Sequence, residues 1–216
     1  MKQHFFITAG NSNADLNSVS CALLTAAKQQ GLNCLGLKPI ATGCELQADK
    51  FQSQQALNLM AAASIKLDYS QVNPITLAGK NSPFIASEAE GISLTASRIS
   101  GIMRGSLMRR YDLAIVEGIG GWREPISKRE NLSDLAKQLN MPVIVVINLN
   151  EEGINEAMLT AEAIRNDGLN IAGWVACPAE EEQFESERIY LQNKFPAPFL
   201  GNVNEPFDIS RLIPTI

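Results

Sequence analysis

Six short apolar runs recur along this chain, and several of them do not alternate with polar residues. They are "HFFIT" (4–8), "CLGLKPI" (34–40), "LAIVEG" (113–118), "PVIVVINL" (142–149), "NIAGWVAC" (170–177) and "APFLGNV" (197–203). A strand with one wet face alternates, whereas a parallel strand covered on both faces is apolar throughout. Between the runs lie amphipathic stretches. In the first, Leu16, Val19, Leu23 and Ala26 recur near the helical period, and Gly31 follows as a stop. Further helices are predicted over 52–64, 86–109, 131–140, 155–167 and 180–193. Strand and helix in alternation imply an α/β fold with a doubly wound, mostly parallel sheet. The segment "DYSQVNPITLAGKNSPF" (68–84) fits neither period and reads as an irregular insertion near the ligand face.

No repeat, low-complexity tract or linker divides the 216 residues, so one domain over 1–216 is expected. A chain this long buries roughly 70% of its unfolded surface and needs no staples. The formal charge of −5 argues against a nucleic acid or an anionic membrane as partner. No apolar run reaches the roughly 18 residues that span a bilayer. The start "MKQHFFITAG" turns polar too soon for a signal peptide. The four cysteines, Cys21, Cys34, Cys44 and Cys177, have neither metal nor C-x-x-C spacing. Reduced thiols in a cytoplasmic protein are the expectation.

In an open parallel sheet, ligands bind beyond the carboxyl ends of the strands. That rule selects the loops after residues 8, 40, 118, 149 and 177. The first, in "FFITAGNSNADLNSVS", joins strand to helix as a phosphate cradle does. Yet it has no lysine, and Asp15 stands where the helix begins.

The motifs "KPIATGCE", "VNPITLAGKNSPF", "VEGIGGW", "INEAMLTAEAI", "LNIAGWVAC" and "PAPFLG" together resemble dethiobiotin synthetase, in order and at matching spacings, over nearly the whole chain. The resemblance implies a single-domain, P-loop NTPase-like fold and a homodimer with substrate at the subunit interface. It implies ATP and Mg²⁺ as cofactors. The family reaction is carboxylation of 7,8-diaminopelargonic acid, phosphorylation of the carbamate and closure of the ureido ring.

Laid on the family's phosphate loop, this chain departs from it. The family's Gly-Lys-Thr core reads Asp15-Leu16-Asn17, within the nucleotide positions Asn13, Ala14, Asp15, Leu16, Asn17 and Ser18. The chemistry of such a loop needs glycine for close backbone approach, lysine for the β/γ-oxygens and a hydroxyl for Mg²⁺. A unit charge pair at about 4 Å is worth roughly 4 kcal/mol at an effective dielectric near 20. Here that attraction is lost and a carboxylate is added. Asp15, or Asn13 beside it, is expected to cap the helix and fill the phosphate's place. Read without the family, an aspartate there is an ordinary helix start.

The resemblance places the Mg²⁺ ligands at Asn17, Gln55 and Glu117, of which Glu117 alone is a carboxylate. Magnesium prefers hard, charged oxygen. The adenine-reading asparagine is replaced by Cys177, and a thiol offers no paired donor and acceptor. The loop after "PAPFLG" reads "NVNEPF" and departs as well. Glu117, Gly118 and Gly120 keep the family pattern. On the substrate side, Lys38 matches the catalytic lysine, and Thr8, Thr42 and Ser82 match polar positions. Phe84 stands where a histidine often follows Ser-Pro. Ile154 and Asn155 open a helix that would receive the substrate's carboxylate from the partner subunit. The lysine the family has just before it is Asn150 here, and Glu151 and Glu152 crowd that loop with acid.

Other residues carry plainer readings. His4 precedes the first strand, Trp122 and Trp174 suit packing, and "EEEQFESE" (180–187) suits a solvated helix start. The expectation is a family member whose ATP site is degraded and whose activity is impaired or lost. The alternatives are an active enzyme with an atypical phosphate loop, a non-catalytic partner of an active paralogue or pathway protein, and a binder of another small ligand.

Overall fold

A computed structural model describes residues 2–11, 14–47, 49–149, 153–178, 181–205, 207 and 209–213. In chain order it contains β1 (Gln3–Ala9), α1 (Leu16–Gln29), β2 (Cys34–Leu37), β3 (Ile40–Ala41), β4 (Glu45–Gln47), β5 (Lys50–Gln52), α2 (Gln54–Ala62), α3 (Tyr69–Val72) and β6 (Ile75–Thr76). There follow α4 (Pro83–Ala89), α5 (Ala96–Leu107), β7 (Leu113–Gly121), α6 (Leu132–Leu139), β8 (Val143–Leu149), α7 (Gly153–Asn166), β9 (Ile171–Pro178), α8 (Glu181–Lys194) and β10 (Phe199–Asn202).

The main sheet has six strands in the order β10-β9-β8-β1-β7-β2, every pairing parallel. Unbroken apolar runs such as "VIVVINL" become its central strands because both faces are covered. Alternate residues divide between two cores. Phe6, Val116, Val145 and Trp174 pack with α5, α6 and α7 on one face. Phe5, Ile7, Ile115 and Val146 pack with α1 and with Phe207, Ile209 and Leu212 on the other. From β1 the chain crosses to β2, yet after β7 it returns to β8 on the opposite side of β1. This reversal opens a crevice at the carboxyl ends of β1, β7 and β8, where such sheets hold ligands.

The structure departs from the expected elements in four places. The helix predicted over 86–109 is two, α4 and α5, separated by a turn in which Gly91 has φ +67°. Thr95 then caps α5 by accepting from the Arg98 N–H at 3.2 Å. The run 34–40 breaks after Leu37, because the Lys38 N–H leaves the sheet to donate to the Val72 carbonyl and Pro39 has no N–H. The exposed hairpin β4–β5 was not expected, since Leu46 and Phe51 face each other across it at the surface rather than in a core. The 68–84 segment contains α3 and β6, and β6 pairs with β3. Among the described residues, no helix is long and apolar enough to cross a membrane.

Candidate functional site

The loop after β1 is fastened by its own polar groups. Gly10 N–H donates to the Val146 carbonyl at 2.7 Å, and the Gly10 carbonyl accepts from Thr160 Oγ1 at 2.9 Å. Asn11 joins the loop to the end of β8 twice, donating to the Asn148 carbonyl at 2.5 Å and accepting from its N–H at 2.7 Å. Asn13 lies outside the described residues, as do Asn150, Glu151 and Glu152.

Asp15 is the N-cap of α1. Its Oδ1 accepts from the Ser18 N–H at 3.0 Å and its Oδ2 from the Ser18 hydroxyl at 2.5 Å. Leu16 N–H donates to the Ala14 carbonyl at 3.1 Å. A helix start ordinarily presents free N–H groups and positive partial charge to an anion. Here two of the first three N–H groups already have protein acceptors, and one of those acceptors is a carboxylate. Leu16, at the family's lysine position, packs with Val19 and Leu23 in the α1-side core. It therefore contributes apolar surface where an ammonium would be needed.

Behind the loop, Lys38 and Glu117 form a buried ion pair, Nζ to Oε1 2.8 Å, with side chains 2% and 0% exposed. Lys38 Nζ also donates to the Gly118 carbonyl at 3.2 Å. The insertion fixes the lysine's backbone, since Asn73 Nδ2 donates to the Lys38 carbonyl at 2.8 Å and Tyr69 Oη holds Asn73 Oδ1 at 2.8 Å. Gly118 is required by close approach: a Cβ there would stand 2.8 Å from the Ile7 carbonyl oxygen. Charges so buried are tolerable when paired and hydrogen-bonded, and removing one partner costs about 3–5 kcal/mol.

Asn17 meets this pair from α1. Its Nδ2 donates to Glu117 Oε2 at 3.1 Å and to the Gln55 carbonyl at 3.0 Å. Its Oδ1 accepts from Asn58 Nδ2 at 2.9 Å, and Asn58 Oδ1 accepts from Gln54 Nε2 at 2.9 Å. A row of amides thus runs from the exposed side of α2 to the buried acid. The three residues placed by the family at the metal, Asn17, Gln55 and Glu117, do come together. They do not fit Mg²⁺, which wants several oxygen donors at about 2.1 Å: Asn17 turns N–H toward the acid, and Gln55 reaches the cluster through a carbonyl that already accepts. Among the described residues, no group of three His, Cys, Asp or Glu side chains could hold a metal.

The space left beside the ion pair is small. About 140 Å³ is enclosed by Asp15, Leu16, Lys38, Gln55, Glu117 and Gly120 with their neighbours. A larger hollow, about 440 Å³, lies between the loop and α7, lined by Ala14, Gly120, Glu156 and Thr160 among others. Cys177, at the end of β9, is buried with its Sγ 4.0 Å from the Asp15 carbonyl. Burial pushes its thiol up to about 11.

The substrate-side positions are more scattered. Thr8 is fully buried on β1, and its hydroxyl has no partner among the described residues. Thr42 follows β3, half-buried, beside Gly43, whose N–H donates to the Gly79 carbonyl at 2.8 Å. Ser82 is the N-cap residue of α4, without a side-chain cap bond. Ile154 and Asn155 sit in the first turn of α7, the former half-buried and the latter exposed. Asn11, Asn58 and Gln54 were missed from the sequence. Neutral amides in a loop or on a helix face give no signal there beyond ordinary polarity.

Comparison with known proteins identifies the family and the fold. The family described as "AAA domain" matches residues 3–211. The ATP-dependent dethiobiotin synthetase BioD of Cellvibrio japonicus is 43% identical over 204 residues, spanning 94% of this chain and 89% of that protein. The protein of the same name from Pseudomonas aeruginosa (strain UCBPP-PA14) is 40% identical over 92% of this chain and 88% of its own length. In fold, the septum site-determining protein MinD of Pyrococcus horikoshii, solved with Mg-ADP, matches with TM-score 0.55 and 16% identity, over 94% of this chain and 81% of that one. The MinC:MinD cell division complex of Aquifex aeolicus matches with TM-score 0.59 and 12% identity, over 96% and 83%.

Proposed function

The chain belongs to the dethiobiotin synthetase family, and we propose that in this copy the family's ATP- and Mg²⁺-dependent ring closure on diaminopelargonic acid is crippled or lost. The observation that carries the reading is the closed mouth of α1. A carboxylate, Asp15, occupies the helix N-terminus that a phosphate would need, with a buried leucine beside it. Electrostatics favours an anion at such a terminus, and the protein supplies that anion itself. Cys177 in place of a base-reading amide points the same way.

The substrate half is the better preserved. Lys38, Thr8, Thr42 and Ser82 line it in this reading, with Ile154 and Asn155 of the partner subunit completing it in a homodimer. Lys38 would stabilise negative charge in a dry site, but its ammonium already has Glu117 as partner.

Calorimetric titration with Mg-ATP tests the proposal. The unaltered chain is expected to give no binding heat below about millimolar nucleotide. A variant carrying Asp15→Gly, Leu16→Lys and Asn17→Thr is expected to gain it. Micromolar affinity in the unaltered chain, or turnover equal to that of its relatives, refutes the reading in favour of an active enzyme with an unusual loop.

A further inference from the structure

We propose that Lys38 serves as the permanent internal cation of Glu117, and that Asn17 seals the acid's other oxygen, so that this position excludes a divalent metal. The inference rests on the family reading only for the expectation that a metal belongs here.

The geometry argues it in three steps. Glu117 is almost wholly buried, and both its oxygens are engaged: Oε1 by Lys38 Nζ at 2.8 Å, Oε2 by Asn17 Nδ2 at 3.1 Å. The Asn17 orientation is fixed by its neighbours. Nδ2 faces Oε2 at 3.1 Å, Oε1 at 3.4 Å and the Gln55 carbonyl at 3.0 Å, all acceptors, so a donor must stand there. Its Oδ1 is turned away and held by Asn58 at 2.9 Å. Turning that oxygen inward to ligate an ion would break every one of these bonds. Lastly, an ion about 2.1 Å from Oε1 would lie within about 5 Å of the lysine nitrogen, given the 2.8 Å Lys38–Glu117 contact. Two cations would then share one buried carboxylate.

The test uses metal alone. Free Mn²⁺ is titrated against the full chain without nucleotide and counted by its paramagnetic resonance signal. The unaltered chain is expected to bind none at this position up to about 10 mM. The double variant Asn17→Asp, Lys38→Met presents two carboxylates and no ammonium, and is expected to bind one Mn²⁺ at least about tenfold more tightly. A submillimolar site in the unaltered chain that Glu117→Gln abolishes overturns the proposal, as does a double variant that binds no better than its parent. Melting temperature supplies a second reading that needs no metal. Glu117→Gln is expected to lower it by about 10 °C in EDTA, because a buried ammonium loses its partner. Adding Lys38→Met to that variant is expected to restore most of the loss, and recovery of a folded double variant counts as support even where the single variant does not fold. No loss in Glu117→Gln, or no recovery in the pair, overturns the assignment. Repeating the nucleotide titration in EDTA in place of Mg²⁺ probes the phosphate loop alone, and metal without nucleotide probes Glu117, so the two readings fail separately.

Discussion

Replacing Asp15 separates what it does for the helix from what it does to a phosphate. Asp15→Asn keeps an acceptor for the Ser18 N–H, which now sits 3.0 Å from Oδ1, but removes the charge. Asparagine and aspartate cap about equally well, so the loss is confined to the dipole contribution, about 0.3–1 kcal/mol. Asp15→Ala removes the cap itself and costs about 1 kcal/mol within a range of about 0.5–2. For a domain near this size, 1 kcal/mol corresponds to about 2–4 °C in melting temperature. The expected order is therefore unaltered chain, then Asp15→Asn about 1–2 °C lower, then Asp15→Ala about 2–4 °C lower. Scanning calorimetry resolves such steps. Pyrophosphate at about 10 mM should raise the Asp15→Ala and Asp15→Asn variants and leave the unaltered chain where it was, since only the variants leave the helix terminus without its own anion. Equal melting temperatures for Asp15→Ala and the parent, or equal stabilisation of both by pyrophosphate, would refute the reasoning.

Further expectations concern the surroundings. Asn11→Ala strips both bonds to the Asn148 backbone and should lower stability by about 1–3 kcal/mol; an unchanged urea midpoint counts against that clamp. Gly118→Ala forces a methyl to within 2.8 Å of the Ile7 carbonyl oxygen, an unyielding neighbour, and should cost about 1–3 kcal/mol in the same assay. Burial raises the thiols of Cys21 and Cys177 from 9.0 to about 11, with the nearby acids adding to it. At pH 8 each should expose about a hundredfold less thiolate than an ordinary cysteine, so Ellman's reagent should react far more slowly with native than with unfolded protein. The sign for stability follows: the unfolded chain releases these protons first, so stability falls as pH rises from about 9 toward about 11. A melting temperature that rises across that window contradicts the burial of both thiols.

The sheet was legible because burial on both faces writes itself into composition: the run Val143–Leu149 is apolar on both faces, short and rich in β-branched residues, as a covered strand is. Helix boundaries were less so. The periodicity of 86–109 continues across Gly91, and only the turn at that glycine and the cap at Thr95 reveal two helices. At the site, the loss of Lys and Thr from the loop could be read directly, and so could a capping role for Asp15. The partnership of Lys38 with Glu117 could not, because 79 residues separate them and the contact exists only once β2 and β7 lie side by side. Asn17 illustrates the same limit. Its sequence position suggests a poor metal ligand, but only the fold shows an amide inserted between an acid and the start of α2.

The row from Gln54 through Asn58 and Asn17 to Glu117 and Lys38 links four elements, α2, α1, β7 and the end of β2, by side chains alone. Where a crevice is finished by a bound molecule, its walls keep a repertoire of breathing motions that the guest later quiets. Here the walls already hold one another. Opening them requires at least one buried polar contact to part without water to replace it, so amide hydrogens around Asn17 and Glu117 should exchange as slowly as those of the central strands, in the ligand-free protein and at every nucleotide concentration alike.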